Sequence, residues 1–218
     1  MASADILPQL IVNGLIAGSI YALAASGFSL VYYILKFQYF SHGAIMSISA
    51  YLFFAFFSIV GLNYILAIFL TIVLSILATL ATNWLVYKPL RKRKATPTIL
   101  LISSVVLLIL SSSLILAIFG SSTKIISLGD YNKTINFNFL TITLIQILIV
   151  ISVIMLFLLL WLMLKKTKLG KSMRALADNK DVAQVVGISP ERIYTYTFII
   201  AGFFAGISGI LIGLEQNL

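Results

Sequence analysis

The sequence has no cysteine and a single histidine, His42. Disulfides and thiol chemistry are therefore excluded, and neither a metal site nor a cofactor is expected. Charge of any kind is scarce: only 10% of the residues are charged, and six acids stand against fifteen Lys and Arg. No basic residue precedes the first apolar run, so the positively charged start of a cleaved secretory signal is missing and the first span is expected to stay in the mature protein. The apolar runs carry no paired carboxylates and no cluster of metal ligands, which leaves a membrane-embedded enzyme little to work with.

What is present is apolar. Hydrophobic residues make up 61% of the 218, and the mean hydropathy is +1.11, far outside the soluble range. The net charge of +9 would suggest nucleic acid in a soluble protein. Here the basic residues cluster in loops between apolar runs, where anionic lipid and topology account for them, and no nucleic-acid partner is expected.

Charged residues bracket the spans. The stretches 6–35, 95–123, 134–164 and 193–214 are each uncharged and long enough for one crossing of about 20 helical residues. The stretch 37–87 is long enough for two, with its natural break at Gly61-Leu62-Asn63. The fold class expected is all-α: a polytopic bundle of about six transmembrane helices forming a single domain over 1–218. With the N-terminus outside, thirteen of the fifteen basic residues fall in inner loops and only Lys124 and Lys133 in outer ones. The positive-inside rule favours that orientation.

One segment, 165–192, is long and polar, and seven of the basic residues lie in it. Leu169, Met173, Leu176 and Ala177 share one helical face, but Val182, Val185 and Val186 fall on the opposite one if the helix is continued at about 100° per residue. Two short helices are therefore predicted, with a break near Asp178-Asn179. Either of those residues can cap the second helix, and Gly187 can take the left-handed conformation that ends it. Ser189, Pro190 and Glu191 then read as N-cap, first helical residue and first-turn acid of a new helix. A basic helix that merely anchors to headgroups is the plainer reading of the charge. Gly170-Lys171-Ser172 has the ending of a phosphate-binding loop, but Lys165 stands where that loop needs its first glycine, and no strand precedes it.

Gly170, Arg174-Ala175, Ala183 and Gly187-Ile188, at these spacings, resemble the loop of branched-chain amino-acid ABC importer permeases that docks onto the ATPase subunit. Two further stretches resemble the same family. Asn13-Gly14, Gly18-Ser19, Tyr21-Ala22-Leu23, Gly27 and Val31-Tyr32, followed by Phe40-Ser41-His42-Gly43, are similar to its N-terminal signature. Tyr87-Lys88-Pro89-Leu90-Arg91 is similar to its Tyr-Arg-Pro-Leu-Arg, with Lys in the first Arg position. The three matches are in order and cover nearly the whole chain.

The resemblance implies a permease subunit of an ATP-driven importer of branched-chain amino acids in the cell inner membrane. It also implies partners: cytoplasmic ATP-binding subunits, a second permease subunit and an external substrate-binding protein. Related permeases move urea, short amides or other small polar solutes, so these stand as alternatives, and a passive channel is a rival of another class. Family members continue past Leu218 through further membrane segments, so the chain is expected to be C-terminally incomplete.

Candidate pathway or close-packing residues are Asn13, Gly14, Gly18, Ser19, Ser26, His42 and Gly43. The pairs Gly14/Gly18, Gly202/Gly206 and Gly209/Gly213 each share a helix face, where small residues let a neighbouring backbone approach. A serine in a helix can instead bond its own backbone. A lone histidine at the interface is more often a hydrogen-bonded structural residue than a proton carrier. The cluster 88–94 is read as a topology anchor, with a secondary ATPase contact as its functional alternative. Asn132-Lys133-Thr134 fits a glycosylation sequon, which matters only in a eukaryotic secretory pathway.

Overall fold

The structure, a computed structural model, describes residues 2–124, 134–137 and 140–216. The sequon at Asn132 and Lys133 lies outside them, as does the second basic residue of the loop opposite the basic end. Nine α-helices are present among the described residues: α1 (Ala2–Leu35), α2 (Ser41–Phe54), α3 (Tyr64–Thr82), α4 (Lys88–Lys92), α5 (Pro97–Phe119), α6 (Leu144–Lys166), α7 (Lys168–Asp178), α8 (Lys180–Val185) and α9 (Pro190–Gln216). A π-helical turn, Ala55–Ile59, extends α2, and another, Asn83–Tyr87, joins α3 to α4. The helices form six segments long and apolar enough to cross a membrane: Leu7–Leu35, Ser41–Ile59, Tyr64–Lys92, Pro97–Phe119, Leu144–Lys166 and Pro190–Glu215. The chain is an all-α, multi-pass membrane protein, and its second and third spans part at Gly61, whose φ of 73° suits glycine.

A departure from purely helical structure is a small antiparallel hairpin, β1 (Thr134–Phe137) and β2 (Leu140–Thr143), before the fifth span. The side chain of Gln9 fastens it to α1, accepting from the Thr141 amide at 2.9 Å and donating to the Thr141 carbonyl at 3.0 Å. Thr143 then starts α6 with a capping box shared with Gln146.

The last span is the centre of the bundle: α9 packs against α1, α2 and α3, α6 leans on α1, and α5 is held mainly by α2. Glycines on α9 make this possible. A Cβ at Gly202 would meet Thr79 and Ile76 of α3, one at Gly206 would meet Ser75, and one at Gly209 would meet Met46 and Ser49 of α2. Hydroxyls join the same faces, with Ser49 and Ser75 sharing a 2.6 Å hydrogen bond in which one donates to the other, while the acceptor's own proton goes to a carbonyl of its helix. The pair Gly14/Gly18 behaves differently from the close-packing expectation, because a Cβ at either position would meet nothing within 4 Å among the described residues. Both face outward from this chain.

The turn between the first two spans is locked from several sides. Ser41 shares a 2.6 Å hydrogen bond with the Tyr87 hydroxyl and donates to the Ser104 carbonyl, while Ser104 Oγ donates to the Gln38 carbonyl. Phe37, Tyr39, Tyr87 and Phe198 stack around it. Burial pushes the Tyr39 phenol above its ordinary range, so it stays neutral.

Candidate functional site: the segment between the last two spans

Segment 165–192 is folded from end to end by local capping. Thr167 has extended backbone and accepts the Gly170 amide at 3.0 Å, which starts α7. Gly170 is buried, and a Cβ there would run into the backbone carbonyls of Met163 and Leu164 at the end of α6. The absent side chain is what lets α7 fold back so tightly. Arg174 reinforces that corner by donating to the Leu164 carbonyl, one of the acceptors that the end of α6 leaves free.

The break falls at Asn179. Its side-chain oxygen accepts the amides of Asp181 at 3.0 Å and Val182 at 3.1 Å, the N-cap of α8. At the other end Gly187 has φ 86°, its amide bonds the Gln184 carbonyl at 3.0 Å, and the Ile188 amide bonds the Ala183 carbonyl at 2.9 Å. This pair of bonds is a Schellman termination, which requires the left-handed residue that Gly187 supplies. The next helix starts at Pro190. The Ser189 carbonyl receives the Ile193 amide, and its hydroxyl makes no capping bond among the described residues, which corrects the side-chain cap anticipated there.

Two faces result. Met173, Leu176 and Ala183 are buried with Leu30, Ile34, Ile193 and Tyr194, so the segment is seated on the ends of α1, α6 and α9. Met173 and Leu176 each contribute about 1.5–3 kcal/mol relative to exposure in water, and the Ala183 methyl less. Val182, Val185 and Val186 on the opposite face are 59%, 86% and 68% exposed, an apolar patch with no partner among the described residues. Ala175 contributes backbone, its carbonyl accepting the Asn179 amide.

A polar tie absent from the sequence reading links this seat to the third span. Arg91 contacts both carboxylate oxygens of Glu191, and its Nη2 also donates to Asn83 Oδ1 at 3.0 Å. Its guanidinium lies 4.9 Å from the Tyr194 ring centroid. The signal for it was present only as Arg91 in one motif and Glu191 in another, with nothing local to pair them.

The seven pathway candidates lie along α1 and at the start of α2. Asn13 is exposed and accepts from Gln9 at 3.1 Å, near the hairpin. Ser19 and Ser26 donate to the carbonyls of Ile16 and Leu23 in their own helix. His42 is buried with Nε2 3.0 Å from the Ala24 carbonyl oxygen, which places a proton on that nitrogen. Gly27 makes room for it, since a Cβ there would lie 2.6 Å from the imidazole. Gly43 faces Leu108 of α5.

Residues 10–218 match the family model described as branched-chain amino acid transport system / permease component. The chain is similar to the high-affinity branched-chain amino acid transport system permease protein BraD of Pseudomonas aeruginosa, 29% identical over 96% of this chain and 72% of that protein. It is likewise similar to the permease protein LivH of Escherichia coli, 29% identical over 94% of this chain and 70% of that one. A probable branched-chain amino acid transport permease protein LivH of Methanocaldococcus jannaschii is 28% identical over 98% of this chain and 69% of its own length. No solved structure matches the chain. With its six apolar spans and a family match over nearly all of its length, the chain belongs to the permease components of branched-chain amino acid transport systems.

Proposed function

We propose that the chain is the permease subunit of an ATP-driven importer of branched-chain amino acids, and that segment 165–192 is where ATP-binding subunits dock. The observation that carries this reading is the pairing of an exposed valine patch on α8 with a capped, buried seat beneath it. An apolar patch on a polar, basic segment needs a protein partner to cover it. The caps at Asn179 and Gly187 let α8 move as one piece with α7, and Arg174 and Gly170 transmit that motion to the end of α6. The Arg91–Glu191 tie passes it to the third span. Rocking of the helices about this point gives alternating access.

In this reading hydrolysis takes place on the ATP-binding subunits, a second permease completes the path, and an external binding protein delivers the amino acid. The protein sits in the cell inner membrane with its N-terminus outside, which puts the basic end in the cytoplasm in accord with the positive-inside rule. Away from their ends the apolar spans carry no charge to offer a zwitterion, so selectivity is assigned to the binding protein. The experiment is ATP-dependent uptake by the reconstituted complex, leucine beside urea. Leucine uptake that follows ATP hydrolysis is expected, and urea uptake in its place would sink the substrate assignment.

A further inference from the structure

The basic end also holds a cleft of about 630 Å³ between the ends of α1 and α4, the start of α5, the α7–α8 corner and the start of α9. Lys36, Arg91, Lys92, Lys94 and Lys180 line it. The acids on its wall leave this charge largely unmatched. Glu191 is taken up by Arg91 in the one ion pair among the described residues, and Asp178 makes none. The rest of the lining includes Ile34, Leu35, Leu100 and Leu176, an apolar floor at the ends of the membrane spans.

Backbone conformation marks the same place. Lys36 and Lys94 have φ of 58° and 54°, and among the described residues they are the non-glycine residues with positive φ. Each follows a helix end, and Lys94 closes α4 with its amide on the Arg91 carbonyl and the Ala95 amide on the Leu90 carbonyl, so the two helix stops fix where these lysines stand at the cleft. Arg91, on the wall, keeps its Nη1 buried without a hydrogen-bond partner among the described residues.

We propose that this cleft binds a phosphate-bearing anion, with the headgroup of an anionic phospholipid as occupant. The phosphate lies among the lysines and the first methylenes of the acyl chains lie on the apolar floor. An acidic protein surface would also meet the lysines, but a concave site floored by aliphatic side chains beside the spans fits a lipid better. Bound there, the lipid touches α1, α5 and the α7–α8 corner together and steadies the corner against the bundle. The inference is independent of which solute the permease carries.

The test uses the full chain, purified and placed in nanodiscs of phosphatidylcholine with a small fraction of phosphatidylglycerol, and the lipid retained on gentle extraction is measured by native mass spectrometry. Preferential retention of phosphatidylglycerol is expected, weakened about fivefold for each charge removed in Lys92→Gln/Lys94→Gln and unchanged in the control Lys168→Gln/Lys171→Gln. Inorganic phosphate is titrated in a second arm without anionic lipid. Binding of phosphate that Lys92→Gln/Lys94→Gln removes, with no preference for phosphatidylglycerol, supports the anion site and replaces the lipid by free phosphate as its source. Equal retention of both lipids with no phosphate binding overturns the proposal, as does equal loss in the cleft and control variants. Loss of ATPase copurification in Lys92→Gln/Lys94→Gln with lipid retention unchanged assigns the lysines to protein docking and also overturns it.

Discussion

Arg91 and Glu191 stand 100 positions apart in the chain, yet Arg91 Nη2 lies 3.3 Å from Glu191 Oε2. Their side chains differ in setting, Arg91 being 13% exposed and Glu191 43%. That asymmetry predicts unequal costs. Glu191→Gln loses a half-exposed ion pair and is expected to cost under about 1 kcal/mol. Arg91→Met also strands the buried oxygen of Asn83 and the Glu191 carboxylate, and about 2 kcal/mol or more is expected. Thermal unfolding in detergent reads both; equal losses would mean that Asn83 gains nothing from the pair.

Gly187 is exposed and its surroundings are open, so only its backbone conformation restricts substitution. Gly187→Val is expected to cost about 1 kcal/mol or more and to weaken ATPase association while leaving membrane insertion intact. Gly187→Asn should be milder, because asparagine tolerates the left-handed region. If the valine variant copurifies with the ATPase as well as the parent does, the cap is not part of docking.

Val185 gives a test of the surface itself. At 86% exposure it contributes little to the fold of the isolated chain, so Val185→Glu should leave thermal stability within about 0.5 kcal/mol. Copurification of the ATP-binding subunits should fall sharply. Unchanged copurification would move the docking surface away from α8.

Two glycine-to-alanine changes should behave in opposite ways. At Gly170 the new methyl meets the carbonyls of Met163 and Leu164, which cannot move aside without unseating α7, and a loss above about 2 kcal/mol is expected. At Gly14 no described residue lies in front of it, and alanine is the better helix former by roughly 1 kcal/mol. Gly14→Ala should therefore leave the isolated chain at least as stable. Should the same variant impair assembly with a second permease, the outward glycines of α1 are a contact between subunits.

Orientation can be read by labelling, since the background has no cysteine. Single cysteines at Ser122 and Ser189 are expected to react from opposite sides, Ser122 from outside. Reaction of both from one side is the outcome that the six-span topology does not allow.

Local chemistry determined what could be read along the chain. Runs of apolar residues between charges mark six spans because desolvation of a charge in hydrocarbon is costly wherever the helix packs. The break at Asn179 and the stop at Gly187 were legible for a similar reason, as capping and left-handed backbone depend on residues within a turn of each other. The tertiary structure decided what depends on helix rotation. Spans such as α5 are apolar on every side, so hydropathy assigns them no inward face, and the outward aim of Gly14 and Gly18 could not be told from the inward aim of Gly202 and Gly206. The same holds for Arg91 with Glu191, for the hydroxyl contact of Ser49 with Ser75, and for the lysines brought together round one cleft. Each joins residues from separate helices, and only the packing of those helices sets the distance between them.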